Sequence, residues 1–311
     1  MLFGGAKSIS DLFNDSIVYY IKEKSWLKLE PTGDIPSARA AHAACYKEGS
    51  GVLIFGGANK NGGYASNELY LLELGVKSDS RWVIIPCREP KPQRRYGHIM
   101  LYSKPHLILT GGVGKEKNRL TNDLWICDLS KKVLISDRME SLFVYEWTPI
   151  DCNISPPPRM YHTAGIIKSG RAKGMILIYG GRGEKSQPLK DTWGLRKHRD
   201  GSWEWISAPC LGTTPKGRYQ HTSIFFTNNM IILGGLGEPE KIGNESMSVE
   251  IYNCDTFEWT SHFYFNKFRH ASFLIEKYAF TFGGCDYSNP LGSTDKIVMF
   301  DVQELCNNVR R

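Results

Sequence analysis

The chain has 311 residues, 41% hydrophobic and 23% charged, the composition of an ordinary globular protein with enough length for a sizeable core. Its 31 glycines and 12% aromatic residues point to tight turns between strands rather than to helices. The net charge of +7 permits acidic partners, but no run of five like charges marks a nucleic-acid tail, and no apolar run approaches the roughly 20 residues that span a bilayer.

From the N-terminus, the first predicted element is a short apolar run closed by two glycines, MLFGG at 1–5. The pattern returns as VLIFGG ending at Gly57, LILTGG at Gly112, ILIYGG at Gly181, IILGG at Gly235 and AFTFGG at Gly284. Successive spacings are 52, 55, 69, 54 and 49 residues. About 20 residues before the second to fifth double glycines stands an Arg-x-x-His: Arg39 and His42, Arg95 and His98, Arg159 and His162, Arg218 and His221. The last repeat has Lys267 and His270 instead. Each double glycine is followed by a polar loop and an aromatic-bearing strand, as at 67–74 and 122–129. A Trp then opens the next strand: Trp26, Trp82, Trp147, Trp203 or Trp205, and Trp259.

That is four strands per unit at a period near 50, the signature of a kelch-type β-propeller. The predicted fold is all-β: one domain of six blades of four antiparallel strands, near 1–34, 35–90, 91–155, 156–213, 214–264 and 265–311. A four-stranded sheet cannot bury both faces alone, so sheets pack radially and large aromatics fill the wedges between them. The first blade begins at its second strand, so its innermost strand is expected to be missing. The last has three strands through Asp301, with the fourth expected over 302–309 and ring closure shared between the two ends. The 69-residue unit carries an insertion around 130–145, between its third and fourth strands.

The stretch GLRKHRDGSWEW at 194–205 sets cations beside tryptophans, as a nucleic-acid site would. In register with the repeat it is architecture. A third strand over 191–198 meets a two-residue turn at Asp200-Gly201, and a fourth strand over 202–206 places Trp203 and Trp205 on one face, between blades. The cations then lie on a solvated outer turn.

The candidate partner-binding residues are Arg39, Arg95, Arg159, Arg218, Arg182, Lys185 and Lys115. The first four enter the innermost strands from one face, where they would ring the channel mouth and meet an anionic ligand or phosphopeptide. The competing reading is that a residue repeated in each blade bonds the carbonyls of the adjacent loop. Irregular loop residues are the better contact candidates: Arg182, Glu184 and Lys185, Lys115 and Lys117, and Asn59, Lys60 and Asn61. The five repeat histidines are too widely spread for a metal site. GGVGKEK and GGRGEK lack the phosphate-loop pattern, and no catalytic set stands out, so no catalytic, cofactor or metal residue is assigned. Eight scattered cysteines with no Cys-x-x-Cys pair, and no signal peptide, predict reduced thiols in the cytoplasm or nucleus.

GLRKHRDGSWEW, followed by APCLGTTPKGRYQH at 208–221, resembles the propeller of the kelch-containing Ser/Thr protein phosphatases of the PPKL or BSU type. PSARAAHAACY at 36–46, QRRYGHIM at 93–100 and NESMSVEIYNCDTFEW at 244–259 extend the resemblance over essentially the whole chain. It departs at the start, where members usually have a strand before the first double glycine. The resemblance implies a propeller N-terminal to a catalytic domain that holds two divalent metal ions of the Mn, Fe or Zn type. That domain's motifs, Gly-Asp-x-His-Gly, Gly-Asp-x-Val-Asp-Arg-Gly and Gly-Asn-His-Glu, do not occur in these 311 residues. The expectation is therefore a non-catalytic interaction and regulatory domain. Its partners would be proteins, phosphoproteins among them, and its own catalytic domain, with neither membrane nor nucleic acid. The alternative is a stand-alone kelch adaptor or scaffold, such as a ubiquitin-ligase substrate adaptor. A secreted propeller enzyme would need a copper site or an arginine–tyrosine–carboxylate pocket, for which nothing in the sequence speaks.

Overall fold

The structure, a computed structural model, describes the chain except residues 76–78, 117, 137–140, 239–245 and 308–311. Lys117, Asn244, Glu245, the middle of the 130–145 insertion and the end of the expected last strand lie outside the described residues. Antiparallel sheets dominate, and the chain forms two compact units, Met1–Asp151 and Cys152–Arg311.

The first unit holds three larger sheets. Leu2–Phe3, Ser16–Tyr20 and Ser25–Leu29 form a three-stranded one. Ala43–Lys47, Gly51–Phe55, Leu69–Leu74 and Ser80–Ile85 pair in sequence order as the second. Its central strands are apolar over 52–55 and 69–72, where both faces are covered, and Leu69–Leu74 turns polar and exposed at Glu73. Alternation sends Leu53 and Phe55 toward Met100, Leu107, Leu109 and Trp147 of the third sheet. It sends Ile54, Tyr70 and Leu72 the other way, into a cluster with Trp82, Phe3 and Val18.

The chain leaving each sheet runs parallel to the outer strand of the next. Thr32–Gly33 pairs with Ser80–Ile85, and Cys87–Arg88 with Ser141–Ile150. Gly33 is required at its position, since φ is +83° and a Cβ would lie 2.3 Å from the Trp82 carbonyl oxygen.

The third sheet is Ile99–Ser103, His106–Thr110, Leu124–Asp128 and Ser141–Ile150. Within the described part of the 130–145 insertion, Val133–Ser136 pairs with the first part of Ser141–Ile150, whose second part is the sheet's fourth strand. Both arms are apolar and β-prone, which favours pairing over an open loop.

In the second unit, Thr163–Ile166, Ile176–Tyr179, Thr192–Lys197 and Trp203–Ser207 form one four-stranded sheet. Thr222–Phe226, Asn229–Leu233, Met247–Asn253 and Trp259–Phe265 form the next. The third has Ala271–Ile275, Tyr278–Phe282 and Ile297–Asp301. The fourth strand expected over 302–309 is instead a helix, Val302–Asn307. The Asp301 carboxylate accepts hydrogen bonds from the N–H groups of Gln303 and Glu304, capping the helix start, and Val302 and Leu305, three residues apart, turn inward together.

The turn between Thr192–Lys197 and Trp203–Ser207 also differs from expectation. His198 and Ser202 close a three-residue loop, the Gly201 N–H donates to the His198 carbonyl, and Gly201 takes φ +92°. This is a type I turn with a glycine bulge, and the Asp200 carboxylate accepts from both N–H and hydroxyl of Ser202. Trp82, Trp147 and Trp205 are 0%, 3% and 2% exposed, but Trp203 is only half-buried and Trp26 is 42% exposed. Trp26 lies on the outermost strand of its sheet, packed on its cross-strand neighbour Tyr19.

Candidate functional site

The double glycines act as joints between neighbouring sheets. In four of the six pairs the second glycine donates its N–H to the main-chain carbonyl of the next repeat's arginine or lysine: Gly5 to Arg39, Gly57 to Arg95, Gly181 to Arg218 and Gly235 to Lys267, at 2.8–2.9 Å. The arginine side chain then returns to its own sheet. Arg39, Arg95, Arg159 and Arg218 each donate from Nη1 to the carbonyl of the first glycine there, Gly56, Gly111, Gly180 and Gly234, at 2.9–3.1 Å.

Three of the four arginines also have a carboxylate. Arg95 binds Asp123 with two hydrogen bonds, at 2.7 and 2.6 Å, and Arg159 binds Asp191 at 2.8 and 2.6 Å. Arg218 faces Glu250 at 3.6 Å and donates to the Ser248 carbonyl. Burial alone would raise the Asp123 and Asp191 carboxyls, but the arginine bonds and charge outweigh it and hold both below the ordinary carboxylate range. Arg39 instead bonds Ser37 and lies over the Tyr70 ring.

The four arginines are 0%, 0%, 1% and 0% exposed. Their side-chain donors face their own sheets, in positions closed to solvent. In the last repeat Lys267 is likewise buried, and it pairs with Asp286.

The repeat histidines pack behind the glycines. Burial, with the neighbouring arginine or lysine charge second, lowers the imidazoles of His42 to about 4 and of His162 and His270 to about 3, and His221 falls well below its usual value. They are therefore neutral, and the Nε2 atoms of His221 and His270 bond the hydroxyls of Thr163 and Thr222. Among the described residues no group of three or more His, Cys, Asp or Glu side chains is placed to hold a metal ion. All eight cysteines are free thiols.

The loop candidates are outside. Lys115 is exposed and lines a cavity of about 440 Å³ with Asn67, Gln93, Arg94 and Glu116. The Lys115 N–H donates to the Arg94 carbonyl and the Glu116 N–H to Gln93 Oε1, which fixes the cavity walls. Two cations against one carboxylate make it suited to an anionic group. Arg94 is absent from the sequence-based candidates, yet the signal is there: next to inward Arg95 on an extended segment, it must point outward.

Lys185 stands at the tip of a turn, Glu184–Ser186, with φ +51°, and is exposed. Asn61 has the same place and φ +59° in the turn Lys60–Gly62. Asparagine tolerates this region, but lysine rarely enters it. Arg182 is half-buried, bonded to the Ser186 hydroxyl and lying 5.8 Å from the Tyr219 ring centre. The cations of the 194–205 stretch are partly neutralised at home, since Arg196 and His198 both contact Glu204.

A family profile described as the Attractin/LZTR1 beta-propeller matches residues 76–304, and one described as the KLHDC2/KLHL20/DRC7 Kelch-repeats domain matches residues 1–142. The chain is similar to Serine/threonine-protein phosphatase BSL2 of Arabidopsis thaliana, 34% identical over 243 residues, which is 78% of this chain and 22% of that protein. It is also similar to the dynein alpha chain of the flagellar outer arm of Chlamydomonas reinhardtii, 26% identical over 68% of this chain and 4% of that one. An F-box/kelch-repeat protein of Arabidopsis thaliana is 26% identical over 76% of this chain and 47% of its own length. The chain thus spans less than half the length of each of these relatives.

Proposed function

Because the chain belongs to the kelch-repeat family of β-propellers, we propose that it is the non-catalytic, protein-docking and regulatory propeller of a Ser/Thr protein phosphatase. The observation that carries this reading is the 34% identity to a Ser/Thr phosphatase over 78% of the chain, well above the 26% to the dynein chain and the F-box protein. In this reading the parent polypeptide dephosphorylates phosphoserine and phosphothreonine proteins in the cytoplasm or nucleus. A separate catalytic domain would hold two divalent metal ions, and the chemistry they would supply there is activation of water for phosphoester attack. The propeller positions proteins, its own catalytic domain and phosphoprotein substrates among them.

Docking uses the exposed loops at the double-glycine ends of the sheets. Lys115 with Arg94 in the first unit, and Lys185 with Arg182 in the second, offer cations to acidic or phosphorylated segments. Arg39, Arg95, Arg159 and Arg218 support these loops from beneath through their glycine carbonyl bonds.

The F-box/kelch relative keeps a second reading in view, a stand-alone adaptor. Affinity capture from the native cell, with wild type and Lys115→Glu/Lys185→Glu compared by quantitative mass spectrometry, tests the docking reading. Recovery of named phosphoproteins or a phosphatase subunit, reduced at least about tenfold by the double variant, is the expected result. Recovery of ubiquitin-ligase subunits instead would favour the adaptor, and an unchanged partner set would overturn docking through these loops.

A further inference from the structure

A second cavity, of about 470 Å³, lies in the second unit, at the opposite end of its strands from the double-glycine loops. Three segments wall it: the turn at residues 226–229, the turn at 253–258, and the helix Val302–Asn307. It exists because the last segment is that helix rather than a fourth strand. The turns are held rigidly: Asn228 Nδ2 donates to Asp255, and Asn253 Oδ1 accepts from the N–H groups of Asp255 and Thr256.

The lining has a distinct chemistry. Carboxamides predominate, with Asn228, Asn253 and Gln303 over a floor that includes Phe226 and Cys306. There is one carboxylate, Glu258, and no cation. Glu258 and Gln303 are exposed, and among the described residues no ion pair engages Glu258 and the Gln303 side chain makes no hydrogen bond, its N–H alone bonding Asp301. A carboxamide both donates and accepts, which matches the peptide group. A phosphate entering here would lose hydration and gain no cation, whereas a lysine or arginine would find Glu258. The volume falls within the roughly 300–1,000 Å³ of ligand sites.

We propose that this cleft binds an extended, unphosphorylated peptide segment with one basic side chain, its main chain held by the Gln303 carboxamide and Asn253 Nδ2, which the turn bonds leave uncommitted, and its cation by Glu258. The inference rests on the protein-docking reading and gives it a second surface of different chemistry from the Lys115 cavity. A partner gripped here through an unmodified segment leaves the cationic loops available for a phosphorylated one.

The test uses arrayed random heptapeptides with a fixed central lysine, alanine, aspartate or phosphoserine, probed with the labelled chain, and then anisotropy titration of a lysine-centred hit. Lysine-centred peptides should bind at least about tenfold more tightly than phosphoserine-centred ones. Glu258→Lys should remove that preference and Gln303→Ala should weaken binding several-fold, while Lys115→Glu changes neither. Both residues are exposed, and unchanged denaturation midpoints would verify that the variants fold. A lysine preference that survives Glu258→Lys, or binding lost only in Lys115→Glu, would overturn the cleft and leave the docking reading standing. A preference for phosphoserine, or an absence of heptapeptide binding up to millimolar concentration, would also overturn the cleft. The docking reading itself falls only if affinity capture also fails.

Discussion

The Arg159 guanidinium makes two parallel hydrogen bonds to the Asp191 carboxylate, at 2.8 and 2.6 Å, from a position closed to solvent. The same carboxylate accepts from the Trp193 indole, and the guanidinium also bonds the Gly180 carbonyl. Removing one partner strands the other charge, so Asp191→Ala should cost about 3–5 kcal/mol. Arg159→Lys, with Asp191 in place, should also be destabilising, because an ammonium cannot make the paired bond. Denaturant midpoints would register this, and Glu204→Ala, at an exposed ion pair, should leave the midpoint nearly unmoved.

The first glycines Gly4, Gly56, Gly180 and Gly234 sit against the next repeat's backbone. At Gly180, φ is +63° and a Cβ would lie 2.7 Å from the Arg218 carbonyl oxygen and 3.0 Å from the His221 ring. Gly201 shares the positive φ but has nothing within 4 Å. Gly201→Ala should therefore cost only backbone strain, roughly 1–2 kcal/mol, and Gly180→Ala clearly more. Equal losses in thermal denaturation would contradict the joint described above.

Buried neutral histidines set an acid limit. The imidazoles of His42, His162 and His270 titrate near 4, 3 and 3 in the folded chain, against about 6.5 when exposed. Their folded values are lowered, so below pH 6.5 the unfolded chain takes up protons that the folded chain refuses. Stability is then full above about pH 6.5 and falls as pH drops toward 3–4. The lowered Asp123 and Asp191 add to the loss, but only around and below the ordinary carboxylate range, so the histidines govern pH 6.5–4.5. Urea midpoints across that range should decline steadily, and less steeply in His162→Gln.

The terminal helix depends on its cap and its inward pair. Asp301→Ala should cost about 1 kcal/mol and Leu305→Ala about 2 kcal/mol or more. Amide exchange should show the loss in the helix and in Tyr278–Phe282, where the Val302 N–H bond to the Lys277 carbonyl is made beside the strand.

Much of this was legible because the repeat forces it. A double glycine is needed wherever a neighbour's carbonyl and histidine press on the strand end, so Gly57, Gly181 and Gly235 announce the sheets. Arg-x-x-His is visible for the same reason, since each arginine bonds the first glycine's carbonyl in its own sheet. The errors arose where one local signal serves two geometries. Asp200-Gly201 fits a two-residue turn and a three-residue turn with a glycine bulge, and only the His198–Ser202 closure separates them. The segment after Asp301 is too short for its 302/305 spacing to declare a helix. Lys115 and Lys185 were found as departures from the repeat, while Arg94 was masked by Arg95. The amide-lined cleft draws on three distant turns, and no local pattern joins Asn228, Glu258 and Gln303.

The most direct test of the phosphatase parentage is the coding sequence of the native transcript around and beyond codon 311. The account predicts Gly-Asp-x-His-Gly, Gly-Asp-x-Val-Asp-Arg-Gly and Gly-Asn-His-Glu in one reading frame with the propeller. An early stop codon, or a different domain in that frame, would contradict it and leave a kelch interaction protein with no phosphatase of its own.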